Sequence, residues 1–187
     1  TTAADMYFFP EAAARAYLAA DMRAVLGMPV LDLPMAGAAD ADAHLARGLA
    51  ARDALKGEPL LRFALAPHAP YTVGDATWHK LVTLAREIDL PIVTHLQETR
   101  AERDDALARD GMTPLARLDR LGATGPGFIA VHAVHPGAGD VDVQKVERIA
   151  VIAHRCGEKI SIAPKGVDVI TLGRTDISDD LLKDGIP

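Results

Sequence analysis

The sequence predicts an α/β fold in which helices cover a sheet of parallel strands. Apolar segments rich in β-branched residues alternate with helical segments along the chain, which is the order expected for parallel strands joined by helical crossovers. The strand segments are continuously apolar, as expected for strands that are buried on both faces. These two observations favour either a barrel or an open, doubly wound sheet.

The first half of the chain alternates strands and helices at short spacing. Pro10 suits the start of a helix, because its missing N–H has no partner in the first turn, and the alanine-rich run after it has high helix propensity. Glycines and prolines then interrupt regular structure, and leucines at helical spacing follow. The predicted elements are strand 5–9, helix 11–20, strand 22–26, a loop over 27–37, helix 38–56 and strand 60–66.

The second half continues the alternation. A stiff turn over 67–72 ends the third strand, because its prolines cannot continue a helix or a ladder. Trp78 and Leu81 lie on the apolar face of the next helix and are predicted core residues. The predicted elements are helix 74–89, strand 90–96, helices 98–109 and 115–121, strand 128–134, helix 141–155, strands 159–163 and 167–172, and helix 179–184.

The number of predicted strands favours an incomplete barrel over a closed one. About seven strands are predicted in 187 residues, whereas a closed barrel of this kind has eight strands in roughly 250 residues. No repeat, low-complexity tract or linker divides the chain. Residues 1–187 are therefore expected to form a single domain.

Composition and charge restrict the class of partner. With 49% apolar and 25% charged residues, the chain is an ordinary soluble globular protein. A net charge of −6 without a basic stripe argues against nucleic acid, so a small molecule is the expected partner. The single cysteine, Cys156, excludes an internal disulfide framework, and no leader-like or membrane-spanning segment is recognisable. A cytoplasmic protein without a membrane partner is expected.

Candidate chemical groups follow the predicted strands at the points where they end. His68 follows a predicted strand, His95 and His132 lie near the carboxyl ends of theirs, and Asp176 follows the last strand. Carboxyl ends of parallel strands meet at one face of a sheet, so we expect these groups to converge. Imidazole and carboxylate together suit zinc or iron(II), and Glu98, three residues after His95, is placed to carry a proton beside the metal. No glycine-rich phosphate loop or serine-hydrolase elbow is present.

Four short segments of the chain form a recognisable set of motifs: Asp5-Met-Tyr-Phe, Ala66-Pro-His-Ala-Pro-Tyr-Thr72, Thr94-His-Leu-Gln-Glu-Thr99 and Ala130-Val-His-Ala-Val-His135. Together they resemble the amidohydrolase superfamily, in the branch of methylthioadenosine/S-adenosylhomocysteine deaminases and triazine chlorohydrolases. The resemblance extends from residue 1 to residue 135 and keeps the order and spacing of the family motifs.

The resemblance implies a metal-dependent TIM-type (β/α)₈ barrel that hydrolyses C–N bonds of purine-like rings and releases ammonia. It implies that His95 and Asp176 are metal ligands and that Glu98 is the acid and base. His132 would polarise or deprotonate the attacking water, and His68 would contact the substrate. The metal would make hydroxide available at neutral pH by lowering the pKa of bound water to about 7.

The sequence departs from the family pattern at its first strand and after His135. The family's first strand has a His-x-His pair that this sequence lacks, so the chain is expected to begin in the second strand. Gly173-Arg-Thr-Asp176 matches the family's final ligand turn only imperfectly. Because a barrel without its first strand leaves sheet edges unpaired, self-association is expected.

Three other functions stay open at the level of sequence. Related sites displace chloride from triazine rings, so a triazine chlorohydrolase is one alternative. Lys165 follows a predicted strand and would suit a Schiff-base lyase. A catalytically inactive barrel fragment is the third alternative, since the first-strand ligands are not found.

Overall fold

The computed structural model describes residues 2–137, 140, 149–153 and 169–171. Within them, a parallel sheet runs through seven strands in sequence order, each hydrogen-bonded to the next. The strands are β1 (Thr2–Asp5), β2 (Arg23–Val30), β3 (Leu61–Pro67), β4 (Ile92–Leu96), β5 (Phe128–His132), β6 (Ile149–Ala153) and β7 (Val169–Thr171).

Helices connect the first five strands. They are α1 (Pro10–Ala19), α2 (Ala41–Leu55), α3 (Asp75–Glu87), and the pair α4 (Arg100–Asp110) and α5 (Pro114–Arg120) between β4 and β5. The side chains of Asp40, Thr99 and Thr113 cap α2, α4 and α5 by accepting a backbone N–H of the first turn. The α/β class and the parallel sheet predicted from the sequence are confirmed, and the strands with their helices form a curled half-barrel.

The two faces of the sheet differ in the size of their side chains. On the helix-covered face, Leu26, Leu65 and Trp78 belong to one large core in which each is at most 1% exposed. On the other face, Ala64, Ala66 and Val93 form a small second cluster. Burying each large apolar side chain contributes about 1.5–3 kcal/mol, so the helix-covered face supplies most of the stabilisation. The predicted core positions Trp78 and Leu81 are confirmed.

Strand β2 is longer than the sequence predicted. The loop expected from residue 27 begins only after Val30, and both Gly27 and Pro29 lie inside the strand. Strand β1 ends opposite Leu26, so β2 has a neighbour only on its β3 side at Pro29. Proline is tolerated there because edge positions need fewer ladder hydrogen bonds. A Cβ on Gly27 would lie 2.9 Å from the carbonyl oxygen of Asp5, which explains the glycine.

Three further boundaries were predicted wrongly. The first strand is Thr2–Asp5 and the aromatic segment 6–9 follows it, while α4 begins at Arg100 and leaves Glu98 in the preceding loop. The helix predicted over 141–155 is wrong at 149–153, where an apolar run pairs with β5 as strand β6. The predicted strand 159–163 and helix 179–184 lie outside the described residues. The prediction of about seven strands is therefore not confirmed as a whole, because β6 lies in a predicted helix and one predicted strand lies outside the described residues.

Candidate active site at the carboxyl ends of the strands

Three imidazole rings lie in a row across the ends of three neighbouring strands. His68 follows β3, His95 lies near the end of β4, and His132 is the last residue of β5. The ring centroids of His68 and His95 are 5.1 Å apart, and those of His95 and His132 are 5.5 Å apart. The structure therefore brings together the three histidines that the sequence placed at strand ends. We refer to His68, His95 and His132 as the histidine row.

The ring of His95 is fixed by the backbone of its neighbour. Its Nδ1 lies 2.8 Å from the carbonyl oxygen of His68, which also accepts the backbone N–H of His95 at 3.0 Å. A carbonyl oxygen only accepts hydrogen bonds, so Nδ1 carries the proton. The lone pair of the neutral ring is then on Nε2, the form in which histidine binds a metal ion.

The ring of His68 is held by Thr72. His68 Nδ1 lies 3.2 Å from Thr72 Oγ1, which donates its own hydrogen to the carbonyl oxygen of Ala69 at 3.1 Å. The imidazole Nδ1–H must therefore be the donor, which leaves Nε2 as an acceptor. Burial lowers the pKa of His68, the neighbouring His95 lowers it further, and Glu98 acts in the opposite direction. The net lowering of the pKa favours the neutral form of the His68 ring.

A carboxylate stands beside the last histidine of the row. Glu98 Oε1 lies 3.6 Å from His132 Nε2, and the Glu98 side chain is 52% exposed. The backbone of His132 has a φ of +71°, in the left-handed region that few residues other than glycine adopt. Such strained backbone is concentrated at functional sites. The arrangement places an accessible proton acceptor next to an imidazole.

Sequence reasoning missed the residues that support this site. Glu102 accepts the backbone N–H groups of Gln97 and Glu98, and Thr72 orients His68. The signal for Glu102 was present, because Thr99-x-x-Glu102 matches the capping-box pattern of a helix N-terminus. No sequence pattern indicated Thr72, since its contact depends on the fold of the turn.

A cavity of about 330 Å³ adjoins the carboxylate of Glu98. Its walls include Tyr71 after β3 and the side chains of Glu102 and Arg109 from α4, but none of the histidine row. Tyr71 is 57% exposed and its ring meets that of His68 edge-on at 6.3 Å. Burial, followed by the charges of Glu102 and Glu98, raises the pKa of Tyr71. The phenol is therefore a neutral hydrogen-bonding group between the cavity and the row.

The whole chain, residues 1–187, matches the model of the amidohydrolase family. The chain belongs to this family. This confirms the resemblance seen in the four motifs.

Relatives of this amidohydrolase include deaminases of adenosine-like compounds. The 5-methylthioadenosine/S-adenosylhomocysteine deaminase of Saccharophagus degradans is 39% identical over 132 residues, which are 71% of this chain and 30% of the relative. A solved adenosine deaminase from Xanthomonas campestris with bound zinc is 36% identical, with a TM-score of 0.76, over 82% of this chain and 35% of that one. The amidohydrolase described here thus spans about a third of the length of these relatives.

A triazine enzyme shares the fold at lower identity. The atrazine chlorohydrolase from Arthrobacter aurescens complexed with zinc is 20% identical, with a TM-score of 0.65, over 82% of this chain and 38% of that one. At this identity the likeness concerns the fold. No helix among the described residues of the amidohydrolase is long and apolar enough to cross a membrane.

The described residues include the right type of donor atom for a metal ion, but too few of these donors lie together. Imidazole nitrogen is a common zinc ligand, and in the neutral form of His95 the Nδ1 contact leaves the lone pair on Nε2. Within the described ranges, however, no three His, Cys, Asp or Glu side chains are grouped so that they would hold an ion. Asp176, the other predicted ligand, and Lys165 lie outside the described residues.

Proposed function

We propose that the protein is a metal-dependent deaminase that hydrolyses the exocyclic C–N bond of an adenosine-like substrate and releases ammonia. The observation that carries the proposal is the placement of Glu98 beside a row of three imidazoles at the ends of neighbouring strands. Membership of the amidohydrolase family supports the reaction class. The adenosine-type deaminases among the relatives support a purine-like, small heteroaromatic substrate.

A divalent metal ion, zinc by the proposal and iron(II) as the alternative, would supply an activated water at neutral pH. His95 would hold it through Nε2, and Asp176 is proposed as a further ligand. The carbonyl oxygen of His68 keeps the His95 ring in the required tautomer and orientation. Such a partner on the second ring nitrogen commonly fixes a metal-binding histidine.

Glu98 and His132 would move the protons of the reaction. Hydrolysis of an amidine-like carbon requires one proton on a ring nitrogen and another on the departing amine. Glu98 is exposed enough to reach the substrate and lies 3.6 Å from His132 Nε2, so it can collect a proton from the attacking water and deliver it. His132 would polarise that water, since an imidazole accepts and donates protons near neutral pH.

His68 would orient the substrate ring. In the neutral form of the ring its Nε2 is an acceptor, so it would bind a donor group of the substrate without adding charge to the site. Tyr71, edge-on to His68, would border the same region. These roles follow from tautomers that Thr72 and the β3–β4 ladder impose on the two rings.

The fold of the whole protein is proposed to be a TIM-type (β/α)₈ barrel. Residues 1–187 would be part of a single barrel domain, and they contain no His-x-His pair. We also propose a cytoplasmic location, no membrane or nucleic-acid partner, and self-association when the sheet edges stay unpaired.

Two other chemistries and an inactive state are distinguished from deamination by product and metal dependence. A triazine chlorohydrolase would release chloride instead of ammonia, and its 20% identity supports only the shared fold. A Schiff-base lyase acting through Lys165 would survive chelation and be trapped by borohydride. An inactive barrel fragment would release none of these products.

The proposal is tested by comparing Glu98→Gln with Glu87→Gln in the native full-length protein. Adenosine, methylthioadenosine and a chlorotriazine are supplied, and ammonia and chloride release are measured. Loss of the general acid and base should lower ammonia release by about 10²–10⁴-fold, whereas the exposed Glu87 on α3 should be replaceable. Near-normal ammonia release from Glu98→Gln would overturn the assignment.

A further inference from the structure

Glu102 holds the backbone of the loop between β4 and α4 by both of its carboxylate oxygens. Oε1 accepts the N–H of Gln97 at 3.0 Å, and Oε2 accepts the N–H of Glu98 at 2.9 Å. Hydrogen bonds to an ionised acceptor are stronger than those between neutral groups. One side chain therefore fixes two successive peptide groups immediately before the Glu98 side chain.

The loop held in this way has a conformation that its own residues disfavour. Gln97 has a φ of +48°, in the left-handed region. Its side chain, only 2% exposed, donates from Nε2 to the carbonyl oxygen of His135 at 2.8 Å and accepts the N–H of Leu115 through Oε1 at 3.3 Å. Gln97 thus anchors the loop to the core, and Glu102 sets the direction in which the chain leaves it.

We infer that Glu102 is a positioning residue that places the carboxylate of Glu98 beside His132 for proton transfer. The inference rests on the proposed function of Glu98. A displacement of about 1 Å at a reacting group lowers turnover by about 10²-fold. A carboxylate that binds the Glu98 and Gln97 N–H groups directly controls that displacement.

Helix capping alone does not account for Glu102. The N-cap of α4 is Thr99, whose Oγ1 accepts the backbone N–H of Glu102 at 3.1 Å. The side chain of Glu102 bonds the two residues before Thr99, outside the helix. Thr99→Ala therefore weakens the start of the same helix while both loop hydrogen bonds of Glu102 stay in place. It is the matched control for a purely structural effect.

The test is a double-mutant cycle between Glu98 and Glu102 in the native full-length protein, followed by ammonia release from adenosine. Glu102→Gln replaces one acceptor by an NH₂ group that faces a backbone N–H, so kcat should fall about 10- to 100-fold with KM changed less than about twofold. Glu102→Asp keeps the charge but is one methylene shorter, and serves as the second variant. Thr99→Ala should retain most of kcat.

The Glu98→Gln background separates the two proposals. If Glu102 acts through Glu98, then adding Glu102→Gln to Glu98→Gln causes no further loss, because interacting residues are non-additive. An equal loss in both backgrounds, no loss in either Glu102 variant, or the same loss in Thr99→Ala would overturn the positioning role. Full activity of Glu98→Gln itself would instead overturn the proposed function, and the positioning role with it.

Discussion

His95 Nδ1 lies 2.8 Å from the carbonyl oxygen of His68. The backbone at the end of β3 therefore fixes the imidazole ring of a residue in β4. The same carbonyl oxygen accepts the backbone N–H of His95, which makes the orientation of the ring a consequence of the β3–β4 ladder. The tautomer of the neutral His95 ring is therefore set by backbone geometry, without a further side chain. This relationship is the strongest structural support for His95 as a metal ligand.

Replacing His95 by Ala should reduce the metal content of the native full-length protein. The change removes an Nε2 lone pair that is already oriented, and structural and catalytic zinc sites depend on each of their few ligands. Metal content is measured by elemental analysis after equilibration with zinc and dialysis. His79→Ala is the control, because His79 is an exposed residue of α3. Equal zinc in wild type and His95→Ala would contradict the ligand assignment.

The sequence predicted the parts of this site that depend on strand order. Parallel strands bring their carboxyl ends to one face, so the convergence of His68, His95 and His132 followed from their positions at the ends of strands. The position of Glu98 outside α4 did not follow. The charged segment has helical character both before and after Arg100, where α4 begins. The start of the helix is set by the Thr99 cap and by the left-handed backbone of Gln97.

Local rules failed where neighbouring strands decide the structure. Gly27 and Pro29 normally interrupt a strand, yet β2 continues through both. Strand β1 stops opposite Leu26, so Pro29 has no neighbour on that side, and Gly27 leaves room for the carbonyl oxygen of Asp5. Residues 149–153 were assigned to a helix, although pairing with β5 makes them a strand. Pairing partners of this kind are not visible in a local window of sequence.

Replacing Tyr17 by Phe should change the alkaline stability of the protein. The pKa of Tyr17 is raised from 10.0 to about 12 by burial together with the hydrogen bond to Asp5 and the negative charge of Asp5. A raised folded pKa means that the stabilisation is fully present below pH 10 and is lost as the pH rises through about 12. The wild-type melting temperature should fall more steeply across that interval than that of Tyr17→Phe.

Asp5→Asn is the informative companion to Tyr17→Phe. It keeps an oxygen near the Tyr17 hydroxyl, which donates to Asp5 Oδ2 at 2.7 Å in the wild type, but it removes the negative charge. Its alkaline slope should lie between those of the wild type and Tyr17→Phe. Identical slopes for all three proteins would show that Tyr17 ionisation does not contribute to stability.

Replacing Arg117 by Met should destabilise the fold. This α5 residue is only 9% exposed, and its guanidinium donates to the carbonyl oxygens of Pro70 and Val73 and to the carboxylate of Asp75. Removing the donors leaves buried carbonyl groups unsatisfied, at a cost of about 1–3 kcal/mol each. We expect a loss of about 2–4 kcal/mol in the free energy of unfolding, measured by chemical denaturation.

Arg120→Met tests whether the Arg117 effect comes from burial. Arg120 also approaches Asp75, at 3.9 Å, but its side chain is 59% exposed. Exposed pairs contribute about 0–1 kcal/mol, so this variant should remain close to wild type. Comparable losses for the two arginines would mean that charge, and not the buried hydrogen bonds, stabilises the turn after β3.

Replacing Thr72 by Val should alter the tautomer of His68 without leaving a cavity in the turn. Valine keeps the volume of threonine but offers no acceptor to His68 Nδ1, so the ring is free to carry its proton on Nε2. Nitrogen NMR of labelled histidine in the native full-length protein distinguishes the two tautomers. Substrate KM should rise, because an Nε2–H would face the donor group that His68 is proposed to accept.

Thr72→Ser separates the hydroxyl from the methyl group. Serine can still accept the hydrogen bond from His68 Nδ1–H and donate one to the carbonyl oxygen of Ala69, as Thr72 does at 3.2 and 3.1 Å. It should therefore keep the wild-type tautomer and KM, even if loss of the methyl group lowers the melting temperature slightly. If Thr72→Val also keeps the Nδ1–H form, then the tautomer of His68 is imposed by burial and its other neighbours, and Thr72 serves only to close the turn.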